Sequence, residues 1–229
     1  MQRLVDALSS GPGYRRRRPS GAHGRGRHFN VPQLRGRISR RIAERNRRFN
    51  ARFLPLGTYA GLQQGGGACD RLRFGLFRMR FNGCEVIAVY NALRWLGYDE
   101  DIRDIAYRFE TNGALLLGGF GVRPDSIADY LESKTGADVR SYGPAAFSDY
   151  DSLFAGADAA VLTFWNSPDR WTIHTVMLRR LRSGKVRAFN MSPGRLYTDF
   201  DSIASLCSGP GRARVPISLI LIADSGRSD

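Results

Sequence analysis

The pattern of apolar and polar positions changes from a helical period to an extended one along the chain. Residues 84–96 are apolar on nearly all sides, which is typical of a buried helix, and Gly97 provides a stop. Residues 101–109 and 124–135 predict two further helices. Shorter helices are predicted at 147–154 and 199–206, and strands at 159–165, 172–181, 186–190 and 215–223. Because helices come first and strands later, we expect an α+β fold, with N-terminal helices packed on a C-terminal antiparallel sheet.

Positive charge is concentrated at the start of the chain. Residues 1–52 contain fifteen arginines and only two acidic residues, Asp6 and Glu44, so nearly all of the net charge of +14 lies there. The glycines, prolines and arginines of residues 11–27 offer little apolar surface to offset the entropy of ordering them. We therefore predict a basic, largely disordered tail over residues 1–52, in which 34–53 could form an arginine-rich helix, and a folded domain over 53–229.

Composition disfavours several classes of protein. No apolar run approaches the roughly 18 to 20 residues of a membrane span, and residues 1–13 lack the pattern of a secretory signal, so we expect a cytoplasmic location. The three cysteines, Cys69, Cys84 and Cys207, are odd in number and form no CxxC pair. The chain also lacks a phosphate-binding loop and a dinucleotide fingerprint. We expect free thiols, no metal and no cofactor.

Cys84 stands at the predicted start of the buried helix. The thiolate is the reactive form of cysteine, and the unpaired N–H groups at a helix start stabilise it. Asn82 is a candidate N-cap residue, and Gly83 would permit close approach of a substrate. This position indicates a nucleophile, although the helix alone is equally compatible with a buried, unreactive cysteine.

His174 is the one histidine outside the basic tail, and it lies within a predicted strand. A cysteine nucleophile needs a base, and an imidazole base needs a third polar group that fixes its tautomer. Asn190, at the end of the next predicted strand, is the candidate for that group. Considered without Cys84, a strand histidine is more often a structural residue of the core.

Three segments occur in an informative order. A helix begins Cys-Glu-Val-Ile-Ala-Val-Tyr-Asn-Ala-Leu at Cys84, a strand contains Trp-x-x-His ending at His174, and a later strand ends in Asn-x-x-Pro-Gly beginning at Asn190. Over about residues 75–223, this order resembles the papain-like cysteine peptidases, particularly the C39-like group. The resemblance implies a papain-like fold with a catalytic triad of Cys84, His174 and Asn190.

The chain departs from the family pattern at the residue that completes the oxyanion hole, the pair of hydrogen-bond donors that stabilises the negatively charged oxygen of the reacting carbonyl. Family members usually place a glutamine six residues before the cysteine, and that position here is Arg78. A donor must point to where the oxyanion develops. The candidate substitutes, in order, are Asn82, Gln63 and Gln64.

Other residues near these segments are candidates for the substrate cleft. Trp165 and Trp171 flank the turn before His174 and could form walls of the cleft. Gly83 could line it as well, because its small size lets a substrate approach closely. Glu85 follows the nucleophile directly, and its carboxylate would oppose thiolate formation unless it points away. We expect it to favour the positive end of the helix.

The resemblance implies thiol-dependent acyl chemistry on a peptide, amide or other acyl substrate. Cys84 would attack the carbonyl, His174 would accept and return the proton, and the covalent acyl-enzyme would go to water in a peptidase or amidase. Two alternatives stay open: acyl transfer to an amine at the same site, and a papain-like binding module without catalysis. The arginine-rich tail would then dock nucleic acid or an acidic partner.

The hairpin between His174 and Asn190 decides which side chains share a face of the sheet. With a three-residue turn at 182–184, Asn190 would lie opposite Val176, on the same face as His174. We therefore predict an odd-length turn or a single bulge, with both side chains facing the start of the Cys84 helix.

Overall fold

The structure is a computed structural model, and it describes residues 34–53, 61–115, 121–166, 172–209 and 213–223. The predicted disorder of residues 1–33 lies outside these ranges. The helices of the described chain are α1 Leu34–Asn50, α2 Met79–Asn82, α3 Cys84–Trp95, α4 Ile102–Thr111, α5 Pro124–Thr135, α6 Tyr150–Phe154 and α7 Ile203–Cys207. Two 3-10 helices, Ala68–Arg71 and Pro144–Asp149, lie between them.

A six-stranded antiparallel sheet, formed by β3 to β8, packs against the helices of the domain. The strands of the described chain are β1 Arg73–Phe74, β2 Phe77–Arg78, β3 Asp138–Tyr142, β4 Ala159–Trp165, β5 Ile173–Arg180, β6 Val186–Ser192, β7 Arg195–Phe200 and β8 Val215–Ala223. The first two pair as a small hairpin, and the sheet has the order β3-β8-β4-β5-β6-β7. The predicted α+β class is confirmed.

Alternating side chains bury the sheet on both faces. Val161 of β4 and Met177 of β5 belong to the core that contains α3, whereas Leu162 and Val176 belong to the core formed with α6 and α7. Helix α3 is enclosed by this first core, and each of its residues from Cys84 to Leu93 is buried. Its all-round apolar sequence follows from that position.

The apolar pattern does not predict the two edge strands, β3 and β7. Their side chains are exposed or half-buried, so neither strand shows a buried apolar face. Strand β7 also includes the first residues of the predicted helix 199–206. That helix begins instead at Ile203, because the hydroxyl of Ser202 accepts a hydrogen bond from the backbone N–H of Ser205 and caps it.

The basic segment ends in a helix that packs on the folded domain. Asn46 of α1 donates from Nδ2 to the carbonyl of Gly75 at 2.8 Å and to Oε1 of Glu110 at 2.6 Å. Asn50 donates from Nδ2 to the carbonyl of Arg73 and accepts from its backbone N–H. These contacts assign α1 to the folded domain, so the domain begins before the boundary predicted between residues 52 and 53.

Glu110 gives the contact between α1 and α4 a pH dependence. Burial raises the pKa of its carboxyl from 4.5 to about 7, against the lowering effect of the hydrogen bonds from Asn46 and Gly75. Between these two values the folded chain keeps a proton that the unfolded chain has released. The free energy of unfolding therefore falls as the pH rises through this window. At about pH 8 we expect Glu110→Gln to exceed the native chain in stability by about 1–3 kcal/mol, because its amide oxygen still accepts both hydrogen bonds.

Urea unfolding near pH 5 and near pH 8 measures this difference. Glu132→Gln, at an exposed position of α5, is the matched control and should keep the native pH dependence. The assignment to Glu110 is wrong if Glu110→Gln loses stability between the two pH values as much as the native chain does.

Candidate active site

Cys84 is the first residue of α3, as predicted, but the residue that caps the helix is Gly83. Asn82 is the last residue of α2, and its Nδ2 donates to the carbonyl of Phe74 at 2.9 Å, so its predicted role as N-cap is wrong. A side chain at Gly83 would place its Cβ 2.0 Å from Cγ of Met79. The glycine is therefore required by the tight turn between the two helices.

The thiol of Cys84 is paired with the neighbouring carboxylate. Sγ donates to Oε2 of Glu85 at 3.2 Å, and only 5% of the cysteine is exposed. Burial, the charge of Glu85 and this hydrogen bond raise the pKa of the thiol well above its usual value, and a backbone hydrogen bond from Thr175 lowers it. The thiol is protonated at neutral pH in this arrangement.

Glu85 is held inside the domain by the segment that leads into α5. Its Oε1 accepts from the backbone N–H of Val122 at 3.3 Å, and burial raises the pKa of its carboxyl. A Cβ on Gly121 would lie 2.8 Å from the same oxygen, and its φ of +116° also favours glycine. Glu85 therefore points to the thiol and not only to the helix end, a role that its position in the sequence did not predict.

His174 is oriented by Asn190, but through the backbone. Nε2 of the imidazole lies 2.5 Å from the carbonyl oxygen of Asn190. Because a carbonyl can only accept, Nε2 carries the hydrogen and Nδ1 carries the lone pair. Burial lowers the pKa of His174, so the ring is neutral at pH 7. Nδ1 has no hydrogen-bond partner among the described residues, which leaves it chemically able to accept a proton.

The hairpin before Asn190 has the predicted odd length. Leu181 pairs with Lys185 around the turn at 182–184, and Met177 lies opposite Phe189. This register would bring Asn190 opposite β5 as expected, but the paired residues of β5 and β6 end at Met177 and Phe189, and the pairing of β6 with β7 shifts between Phe189 and Ser192. Asn190 itself has a φ of +66° and is the one non-glycine residue with a positive φ in the part of the chain described.

At this irregularity, the side chain of Asn190 contacts the segment that contains Gln63 and Gln64. Its Oδ1 accepts from the backbone N–H of Gln64 at 2.6 Å, and Nε2 of Gln64 donates to the carbonyl of Met79 at 3.0 Å. The same carbonyl accepts from the N–H of Gly83, directly before Cys84. A chain of hydrogen bonds thus joins His174, Asn190 and Gln64 to the start of α3.

Two polar atoms in this region are buried without partners among the described residues: Nδ2 of Asn190 and Oε1 of Gln63. Such orphaned groups are uncommon in folded proteins, because each costs about 1–3 kcal/mol. Among the oxyanion candidates, Gln64 donates its side-chain amide to the carbonyl of Met79, which also accepts from the N–H of Gly83. The Nδ2 of Asn82, by contrast, is directed to Phe74.

The structure does not pair Cys84 with His174. The hydroxyl of Thr175 bonds that of Thr163 at 3.1 Å on the face of the α3 core, whereas His174 packs edge-on against Phe164 of the other core, 5.8 Å between ring centroids. Since side chains alternate along β5, the imidazole and the thiol lie on opposite sides of the strand. The predicted shared face of His174 and the start of α3 is therefore wrong in this arrangement, although the thiol contacts the backbone of the adjacent Thr175.

The predicted cleft residues do not form an open wall. Trp165 is 4% exposed and packs with Ile217 at the end of the sheet, and Trp171 lies outside the described residues. Cys69 and Cys207 are also buried, and burial raises the pKa of each thiol to about 12. Cys69 is therefore enclosed by the domain, although three consecutive glycines precede it by one residue.

Comparisons with known proteins do not assign a family. No family model matches the chain, and no curated protein matches it. Within the described ranges, no group of three His, Cys, Asp or Glu residues could hold a metal ion. In the same part of the chain, no helix is both long and apolar enough to cross a membrane.

Proposed function

We propose that the chain is a cysteine-nucleophile acyl hydrolase, a peptidase or amidase of papain-like type, with Cys84 as nucleophile and His174 as base. The observation that carries the proposal is the position of Asn190. It links His174 to Gln64, and Gln64 to the turn before Cys84, although these residues are distant in sequence. A relay of hydrogen bonds thus supports a functional link between His174 and the turn before α3, although the imidazole and the thiol lie on opposite sides of β5.

Backbone strain at Asn190 supports the same site. A non-glycine residue at a φ of +66° is uncommon, and such strain is concentrated at active sites and ligand contacts. The orphaned Nδ2 of Asn190 adds a donor that a substrate or a rearranged imidazole would satisfy.

The chemistry divides between the residues as follows. Nδ1 of His174 takes the thiol proton while the carbonyl of Asn190 holds Nε2–H. The sulfur of Cys84 then bonds the substrate carbonyl carbon, the carbon–nitrogen bond breaks, and the imidazolium returns the proton to the leaving amine. Water cleaves the resulting thioester. The N–H groups at the start of α3, which have no carbonyl partner within the helix, and the amide of Gln64 would stabilise the oxyanion.

This chemistry requires the described arrangement to be a resting one. The thiol must leave Glu85 and become exposed, and the imidazole must reach the α3 side of β5. Because Cys84 contacts Thr175, the residue after His174, this change concerns the first residues of β5. The closed thiol also favours a second candidate function, a binding module of the same fold that performs no acyl chemistry.

Acylation by p-nitrophenyl acetate separates the two candidates. The hydrolase predicts a burst of one p-nitrophenol per chain and a mass increase of one acetyl group on Cys84. We expect His174→Ala to slow this acylation about 100-fold or more, whereas His23→Ala, in the basic tail, should leave it unchanged. Equal acetylation in both histidine variants, or acetyl groups spread over Cys69 and Cys207, would favour the binding module.

A further inference from the structure

Helix α1 and the β1–β2 hairpin form an arginine-lined groove that the proposed hydrolase does not use. A cavity of about 730 Å³ lies beside α1. Its arginines are Arg40, Arg41, Arg45, Arg48, Arg52 and Arg73. One carboxylate, that of Glu44, lines the same cavity, and it accepts a hydrogen bond from the hydroxyl of Tyr107. The groove therefore carries a large excess of positive charge.

Within the described chain these arginines lack close carboxylate partners, although the charge of Arg45 lowers the pKa of Glu110. None of the six groove arginines forms an ion pair with a described carboxylate. Arg73 is positioned by stacking, with its guanidinium 4.0 Å from the ring centre of Phe49. Clustered like charges repel one another and attract a polyanion. The groove thus fits a ligand that carries several negative charges.

The spacing of the arginines fits a repeating anion. Arg41, Arg45 and Arg48 follow one another at intervals of four and three residues, so they lie on one side of α1, about 5–6 Å apart. All three are exposed. A row of cations at this spacing can contact successive phosphates of an extended strand.

Exposed aromatic and apolar side chains continue the groove. A second cavity, of about 460 Å³, shares Arg45 and Arg73 with the first and is lined by Leu76 and Phe81. Phe81 is 66% exposed, and the guanidinium of Arg80 lies 4.5 Å from its ring centre. An exposed ring beside arginines is a platform on which a base can stack.

We propose that this groove binds single-stranded nucleic acid, with phosphates on the α1 arginines and a base on Phe81. The combination of a basic track with an exposed ring is the pattern of proteins that bind single strands without sequence preference. An acidic peptide would use the arginines but has no base to stack on Phe81. The inference is independent of the proposed acyl chemistry, since none of these residues contacts Cys84 or His174 in the hydrogen bonds described.

Fluorescence anisotropy of the full chain with a short labelled oligothymidylate tests the proposal. We expect Arg45→Glu/Arg48→Glu to weaken binding about tenfold or more at a fixed salt concentration and to flatten its salt dependence. Phe81→Ala should weaken it about fivefold or more with little change in salt dependence. The control Arg182→Glu/Arg195→Glu changes the net charge equally at exposed positions elsewhere, and should have less than about a twofold effect.

Two outcomes would overturn the inference. If both double variants weaken binding equally, the oligonucleotide responds to overall charge or to the basic tail and not to the groove. If poly-glutamate binds more tightly than the oligonucleotide and Phe81→Ala changes neither affinity, the groove serves an acidic protein partner. Circular dichroism of each variant, compared with that of the native chain, verifies that α1 and the domain remain folded.

Discussion

Replacing Cys84 by alanine is expected to abolish acylation by p-nitrophenyl acetate and any amide hydrolysis, and to leave the chain folded. The substitution removes one sulfur atom from a helix start whose backbone hydrogen bonds remain. A cavity of that size costs about 1 kcal/mol, and the lost hydrogen bond to the buried Glu85 adds about 1–3 kcal/mol, which together are less than the roughly 5–15 kcal/mol that stabilise a domain. A nucleophile, in contrast, cannot be replaced by a neighbouring group, so the acyl-enzyme cannot form.

The other two cysteines provide matched controls for this variant. Cys69→Ala and Cys207→Ala also remove one buried sulfur each, and both should keep the full burst of p-nitrophenol. Urea unfolding shows whether any variant has lost its fold. Hydrolysis that survives in Cys84→Ala while disappearing in Cys69→Ala would move the nucleophile to Cys69, beside the carbonyl of Gln63.

Helix α3 and the inner strands could be predicted because their buried positions are occupied by apolar residues, which form a recognisable pattern in the sequence. Strands β4 and β8 are almost continuously apolar, and α3 is apolar all round, since each is enclosed on both sides. The sequences of the edge strands β3 and β7 have no such apolar pattern. Their pairing is a property of the backbone, and their outward side chains are free to be polar.

The packing of α1 on the domain could not be predicted from the sequence for a related reason. Arginines dominate its sequence, and the contacts that fix it to the domain come from Asn46 and Asn50, which bond backbone groups and Glu110. Hydrogen bonds from single polar residues produce no periodic pattern in the sequence, because each bond depends on the position of a partner that is distant in the chain. The sequence therefore assigned to the tail a helix that belongs to the domain.

The candidate site shows which part of a constellation a sequence can specify. Cys84, His174 and Asn190 could be chosen from residue type and order, and the odd hairpin turn from Gly184. The side of β5 that His174 occupies could not, because one residue of register reverses every side chain of a strand. The backbone role of Asn190 arises likewise from a φ of +66° that no sequence pattern announces.

Glu85→Gln is expected to make Cys84 react faster with a small thiol electrophile. After burial, the charge of Glu85 and its hydrogen bond are the next largest causes that raise the pKa of this thiol. Glutamine removes the charge and keeps an amide oxygen that can accept from Val122. Since the thiolate is the reacting form, each pKa unit lost raises the thiolate fraction about tenfold at a fixed pH below the pKa, and the lower nucleophilicity of the thiolate offsets only part of this gain. We expect an increase of roughly tenfold or more.

Alkylation by iodoacetamide, followed by intact mass in a Cys69→Ala/Cys207→Ala background, measures the rate at Cys84 alone. The rate–pH profile of Glu85→Gln should be displaced to lower pH, because less hydroxide is needed to ionise a thiol that no longer faces a carboxylate. Glu132→Gln, at an exposed position of α5, should react as the native chain does. Because Gln is nearly isosteric with Glu, we expect Cys84 to be as buried in both variants as in the native chain, where it is 5% exposed, so that limited access slows all three chains equally. If the Glu85→Gln profile coincides with the native one, the carboxylate does not hold the thiol in its protonated form, and the resting arrangement proposed for the site must have another cause.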